Sequence, residues 1–167
     1  GARALDDPSR EGPKYINTSQ TALFDKGGVL YALDRAQAGI RRNGRAVIVE
    51  GYMDAIAAHQ HGFDNVIAQM GTALTERQVR IVKKLASEIV LALDADAAGS
   101  QAMVRGHDVI REALDESGRA VPVISWRGLV GYQESAAVNL RIAVLPEGRD
   151  PDDVIRQDQE LWASLIE

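Results

Sequence analysis

AVIVEGYMDAIAAHQ, residues 46–60, opens with four apolar residues in an unbroken run and closes that run on an acid and a glycine. A continuous apolar run of this kind marks a strand covered on both faces, as in a parallel sheet. Glu50-Gly51 ends it, and a helical stretch from about Tyr52 to His61 follows. The alternation repeats downstream. Asn65 to Gln69 reads as a second short strand closed by Gly71, and Thr75 with Gln78 forms a capping box that opens a helix to about Ala86, with Val79, Val82 and Leu85 on one face. Glu88 to Leu93, EIVLAL, is a third strand ending at Asp94; a helix from about Ala98 to Glu116 leads to Gly118, and Val121 to Ser125 reads as a fourth strand. Strands alternating with helices of this length build βαβ units with right-handed crossovers. The expected fold class is therefore α/β, a Rossmann-like parallel sheet with helices on both faces.

Outside this region the pattern loosens. Residues 1–27 are polar and interrupted by Pro8, Gly12, Pro13 and Gly27, an irregular segment. Gly28 to Arg42 carries Val29, Leu30, Leu33, Ala36 and Ile40 at helical spacing, with Asn43-Gly44 as a stop. Trp126 to Asn139 has no clean period and reads as an insertion, Leu140 to Val144 as another strand, Asp150 to Gln157 as a short helix with a proline near its start, and Leu161 to Ile166 as a final helical turn or two. The expected organisation is a 1–45 region of irregular segment plus helix, a 46–157 α/β body with its insertion near 126–139, and a small helical end at 158–167.

The chain has 167 residues, of which 46% are hydrophobic and 26% charged, as in one ordinary globular domain with a modest appendage. It contains no Cys, which excludes a disulfide framework, a Cys-ligated zinc site, an iron–sulfur cluster and a cysteine nucleophile together. No apolar run approaches the roughly 20 residues that span a bilayer, and the N-terminus lacks the basic and apolar regions of a signal peptide. The expected location is the cytoplasm, with no membrane partner. The sequence begins without Met and reads as a piece of a longer protein. Its net charge of -5 argues against a general nucleic-acid-binding surface. The charge is uneven, however: residues 1–45 hold eight Lys and Arg against five Asp and Glu, while residues 46–167 hold eleven against nineteen. A basic head precedes an acidic body.

In an open parallel sheet, ligands bind outside the carboxyl ends of the strands. Glu50 ends the first strand and Asp94 the third, with Asp96 two residues on, so three carboxylates emerge on one rim. Such a group is self-repelling unless a cation neutralises it, and hard divalent ions prefer oxygen ligands. Mg²⁺ or Mn²⁺ is the expected occupant; the alternative is that each acid serves as a helix N-cap. Asp150, Asp152 and Asp153 are a second acidic group, which dipole compensation at a helix N-terminus already explains. His59 and His61, two apart on a helix, point away from each other and His107 stands alone, so they read as surface residues rather than a metal triad. Lys14-Tyr15 and Lys26 in the basic head are suited to phosphate, although lone lysines are ordinarily solvated. There is no phosphate loop with the G-x-x-x-x-G-K-[ST] pattern and no G-x-G-x-x-G after a strand, which disfavours P-loop hydrolysis and NAD-type oxidoreduction.

Glu50-Gly51-Tyr52-Met53-Asp54 followed by Asp94-Ala95-Asp96-Ala97-Ala98-Gly99 resembles the toprim domain shared by topoisomerases, primases and some nucleases. With PKYINT and FDKGGVLYALDRA upstream and LPEGRDPDDVI downstream, the chain is similar to the catalytic core of the bacterial replicative DNA primases of the DnaG type, over nearly its whole length and in the same order.

The resemblance implies a toprim fold and metal-dependent nucleotidyl transfer in DNA replication: synthesis of RNA primers on single-stranded DNA from ribonucleoside triphosphates. By motif it implies Glu50, Asp94 and Asp96 as catalytic, metal-binding acids, with Asp150 and Asp152 as a downstream metal-binding pair, which reverses the dipole reading of the last two. Lys14, Tyr15, Asn17 and Lys26 match the patch that holds template or nucleotide, and Gly51, Asp54 and Gly71 match supporting positions. Residues 1–45 then correspond to the end of the N-terminal part of the core and 158–167 to the start of a C-terminal helical part. A zinc-binding module and a domain that meets the replicative helicase are implied outside this stretch, and the isolated stretch is expected to be inactive. Ala95 replaces a common glycine, NTSQT replaces a stretch that usually reads like NSPET, and the 126–139 connection is longer than typical. Alternatives are a toprim nuclease or topoisomerase module, or the non-catalytic DNA-binding toprim module of a recombination mediator.

Overall fold

The computed structural model describes residues 2–3, 15–16, 19–22, 24–70, 74–93, 121–124, 130–133 and 138–167. In the N-terminal region, β1 (Ala2–Arg3) and β2 (Tyr15–Ile16) form a short antiparallel pair. The body runs α1 (Leu33–Asn43), β3 (Arg45–Val49), α2 (Tyr52–Gln60), β4 (Val66–Ala68), α3 (Glu76–Lys83) and β5 (Glu88–Ala92). It continues through β6 (Val121–Ile124), β7 (Val130–Gln133), β8 (Asn139–Ile142), α4 (Pro151–Gln157) and α5 (Gln159–Ile166). Four strands form one parallel sheet in the order β4-β3-β5-β8.

Alternation along each strand sends side chains to two cores. Ala46, Ile48, Ile67, Ile89 and Leu91 pack with Ala36 and Ile40 of α1 and Val79 and Val82 of α3. Val47, Val49, Val66, Val90 and Ala92 pack on the other face with Ala55 and Ala58 of α2, Val154 and Ile155 of α4, and Trp162 of α5. The result is the expected α/β architecture with helices on both faces. Small residues on α2 let it lie close to the sheet, while Trp162 fills the space beneath α5, fully buried and edge-on to Phe63 at 6.3 Å.

Two differences from the sequence reading have physical causes. The helix expected from Gly28 begins only at Leu33, because Tyr31 exchanges both backbone hydrogen bonds with Ala68 of β4 (2.8 and 3.2 Å). That extended pairing overrides the helical periodicity, and the chain turns into α1 through Ala32 at φ 62°, a left-handed conformation costing about 1–2 kcal/mol outside glycine. Residues 121–124 do not join the parallel sheet as a fourth strand; they pair antiparallel with 130–133, and β8 takes the place beside β5. Local propensity indicates a strand and leaves its partner undetermined. The final helical turn or two is present as α5, begun two residues earlier than read and capped by Asp158, whose side chain accepts from the Leu161 N–H at 2.9 Å. The Asn43-Gly44 stop holds as read, with Gly44 at φ 65°. The helix expected at 98–116 lies outside the described residues.

Candidate functional site

β3 leads through α2 to β4 on one side, and the chain then crosses through α3 to β5 on the other. β3 is followed in the sheet by β4 on one side and β5 has β8 on the other, so the order reverses between β3 and β5, the switch point beside which ligands of open parallel sheets bind. Glu50, half-buried, is the first residue after β3. Val49 is paired with Ala92, so Glu50 and Leu93 leave the sheet side by side, and Asp94 follows Leu93 in the chain. Asp94 and Asp96 themselves lie outside the described residues, as does Gly71.

Asp54, on the first turn of α2, is buried beneath this rim. Its Oδ2 accepts from the Gly51 N–H at 3.0 Å and its Oδ1 from the Asp152 N–H at 3.3 Å. Gly51 is extended, and a Cβ there would stand 2.9 Å from Asp54 Oδ2, so the close approach of this carboxylate explains the glycine. The Asp152 N–H belongs to the first turn of α4, where backbone donors have no intrahelical acceptor. Asp54 thus caps α4 from another helix and ties the Glu50 loop to the Asp150–Asp152 segment. Asp150 caps α4 locally, accepting from the Asp153 N–H at 2.8 Å, and the Asp152 carboxylate pairs with Arg156 at 2.5 Å. All three acids of this group, Asp150, Asp152 and Asp153, therefore stand at the α4 N-terminus, where negative charge is favourable. Among the described residues no three His, Cys, Asp or Glu side chains are grouped closely enough to hold a metal ion.

The basic residues divide. Lys14 and Asn17 lie outside the described residues, and Tyr15 lies on β2, paired with Arg3. Lys26 sits in a turn held by α3: the fully buried Gln78 donates from Nε2 to the carbonyls of Lys26 (3.1 Å) and Val29 (2.9 Å), and Thr75 Oγ1 donates to the Gly27 carbonyl at 2.6 Å. The Thr75–Gln78 capping box is present as read. Its second task of clasping a segment about 50 positions upstream has no local sequence signal. His59 and His61 contact backbone carbonyls, Val66 and Ala57 respectively, each at 2.8 Å. His59 closes part of the outer edge of β4.

A Toprim-like family model matches residues 47–126, and the model of the DNA primase catalytic core, N-terminal domain, matches residues 1–37. The DNA primase of Clostridium acetobutylicum is 38% identical over the whole chain, which covers 24% of that relative. A DNA primase domain from Pseudomonas aeruginosa superposes with a TM-score of 0.77 at 31% identity, over 98% of this chain and 44% of that one. A DnaG primase catalytic domain bound to single-stranded DNA gives 0.71 at 29% identity, over 94% and 44%. The parallel sheet order and the family match over residues 47–126 make this a toprim-class α/β domain. The chain belongs to the DnaG-type DNA primase family, as part of its catalytic core. It spans about a quarter of the length of the curated relatives it matches.

Proposed function

We propose that this chain supplies the divalent-metal-binding rim of an enzyme that joins ribonucleoside triphosphates into RNA primers on a single-stranded DNA template in the bacterial cytoplasm. The observation that carries the reading is the Asp54 carboxylate, which binds the Glu50 loop and the α4 N-terminus into one unit at the switch point. The donors fit the group: carboxylate oxygens from Glu50, Asp94, Asp96, Asp150 and Asp152, with no Cys in the chain, suit a hard ion such as Mg²⁺. When bound, the ion lowers the pKa of the attacking 3′-hydroxyl and stabilises charge on the phosphoryl oxygens.

The chain's own residues divide the remaining work. Glu50 follows directly on a buried strand, which fixes its backbone where coordination would be defined. Asp152, now paired with Arg156, would have to leave that pair to hold the ion. Lys14, Tyr15, Asn17 and Lys26 hold template backbone or incoming nucleotide through charge and hydrogen bonding, a sequence-independent grip suited to many templates.

Primer synthesis by the full-length protein, titrated with Mg²⁺ and Mn²⁺, tests this. Glu50→Gln should lower the rate by more than about 100-fold, because outer-shell partners of a metal alone are worth 10–100-fold. Template binding should stay intact. Wild-type primer synthesis in that variant would end the proposal.

A further inference from the structure

Asp25 is oriented by its own turn, accepting the Gly27 N–H on Oδ1 at 3.1 Å, and its Oδ2 accepts from Arg77 Nη1 of α3 at 2.7 Å. The Arg77 guanidinium lies across Gly28, where a Cβ would stand 2.8 Å from its Cζ. Gly28 has no left-handed backbone to explain it, so the flat guanidinium is the neighbour that makes use of the missing side chain. The next residue on α3, Gln78, grips the Lys26 carbonyl. Lys26 and Arg77 are thereby fixed to one short piece of structure. An exposed ion pair contributes little to stability, and the Arg77 side chain remains 69% exposed, so stabilisation alone does not account for holding a long side chain in this place. From Glu76 to Lys84, α3 and its end carry Arg77, Arg80, Lys83 and Lys84 against Glu76 alone, a local reversal of the body's negative balance.

We propose that Arg77 is a phosphate-binding residue for the backbone of the single-stranded DNA template, on the same surface as Lys26 and pre-positioned by Asp25 and Gly28. The proposal rests on reading Lys26 as a nucleic-acid-binding residue. Arginine suits this task, because its planar fork retains further N–H donors when one edge is engaged by Asp25.

The test uses the full-length protein and a fluorescent oligothymidylate, with affinity measured across a salt series. Arg77→Ala should weaken binding and reduce the slope of log affinity against log salt by about 0.7, the value for one phosphate contact on a single strand. Gly28→Ala keeps every charge but displaces the guanidinium, and should weaken binding in the same direction. Arg42→Ala, removing an equally exposed arginine from its pair with Asp64, should change neither quantity. If Arg77→Ala retains wild-type affinity and slope, or raises only the KM for nucleotide, the proposal is overturned. Lys26→Ala separates the two readings. If it flattens the slope and Arg77→Ala does not, Arg77 alone is refuted; if Arg77→Ala flattens it and Lys26→Ala does not, Arg77 stands and the reading of Lys26 falls.

Discussion

Asp54 and Asp152 stand 98 positions apart in the chain and meet through a hydrogen bond from the Asp152 N–H to the Asp54 carboxylate at 3.3 Å. The other oxygen of the same carboxylate holds Gly51, the residue after Glu50. One buried side chain therefore sets the spacing between two acid-bearing segments. Asp54→Asn keeps the shape but turns a donor toward one of the two N–H groups. It should cost about 1–3 kcal/mol of stability, and the metal concentration for half-maximal primer synthesis should rise. Urea unfolding and a Mg²⁺ titration measure the two effects; a variant with unchanged metal dependence would show that the link is structural only.

Metal binding should register as stabilisation. At ten times Kd a bound ion adds on the order of 1.4 kcal/mol, or about 3 to 5 °C in Tm for a chain of this size. If Asp94 lies on the proposed rim, Asp94→Asn removes one charge from it, so the metal-free protein should be as stable as wild type or slightly more so, while most of the Mn²⁺-induced shift disappears. Glu160→Gln, an exposed position on α5, should retain the full shift. Equal shifts in both variants would exclude Asp94 as a principal ligand.

Gln78 is completely buried and its amide serves two carbonyls and the Thr75 N–H. Gln78→Leu preserves bulk but strands all three groups, which should cost about 2–4 kcal/mol. Hydrogen exchange should accelerate at Gly27–Val29 before the rest of the fold responds. Unchanged exchange there would mean the turn holds itself.

Trp162 is fully buried, and its indole N–H has no hydrogen-bond partner among the described residues. Trp162→Ala should cost about 3–5 kcal/mol through the cavity it leaves. Trp162→Phe removes the unsatisfied donor along with part of the volume, so its cost should stay under about 2 kcal/mol. Comparable losses in the two variants would point to a partner for the N–H.

Burial patterns that repeat within a few residues were legible in the sequence. The run Ala46–Val49, the EIVLAL strand and the Thr75–Gln78 box each state their structure locally, and the resemblance of EGYMD and DADAAG to toprim motifs agrees with the family match over residues 47–126. What escaped depends on contacts far along the chain. Nothing near Tyr31 announces its pairing with Ala68, nothing near Gln78 its grip on Lys26, and the α4 cap supplied by Asp54 joins two motifs that look independent. Asp150 shows the opposite case, in which a local cap and a proposed metal role fall on the same carboxylate.

The outer margin of β4 is closed from two directions. Tyr31 takes both backbone groups of Ala68, and the His59 ring takes the Val66 carbonyl. Tyr31 belongs to the stretch matched by the N-terminal core model, while β4 belongs to the toprim match. The boundary between the two matches is therefore a poor place to cut. A protein trimmed to begin at Ala46 would lose α1 from one face of the sheet and Tyr31 from its edge together, baring core residues beside a strand edge on which chains can pair. Sedimentation should find it self-associating where the longer chain stays monodisperse. In this sense the toprim sheet borrows its last fragment of edge from the stretch of chain before it, and the two matched regions are solubility partners as well as neighbours.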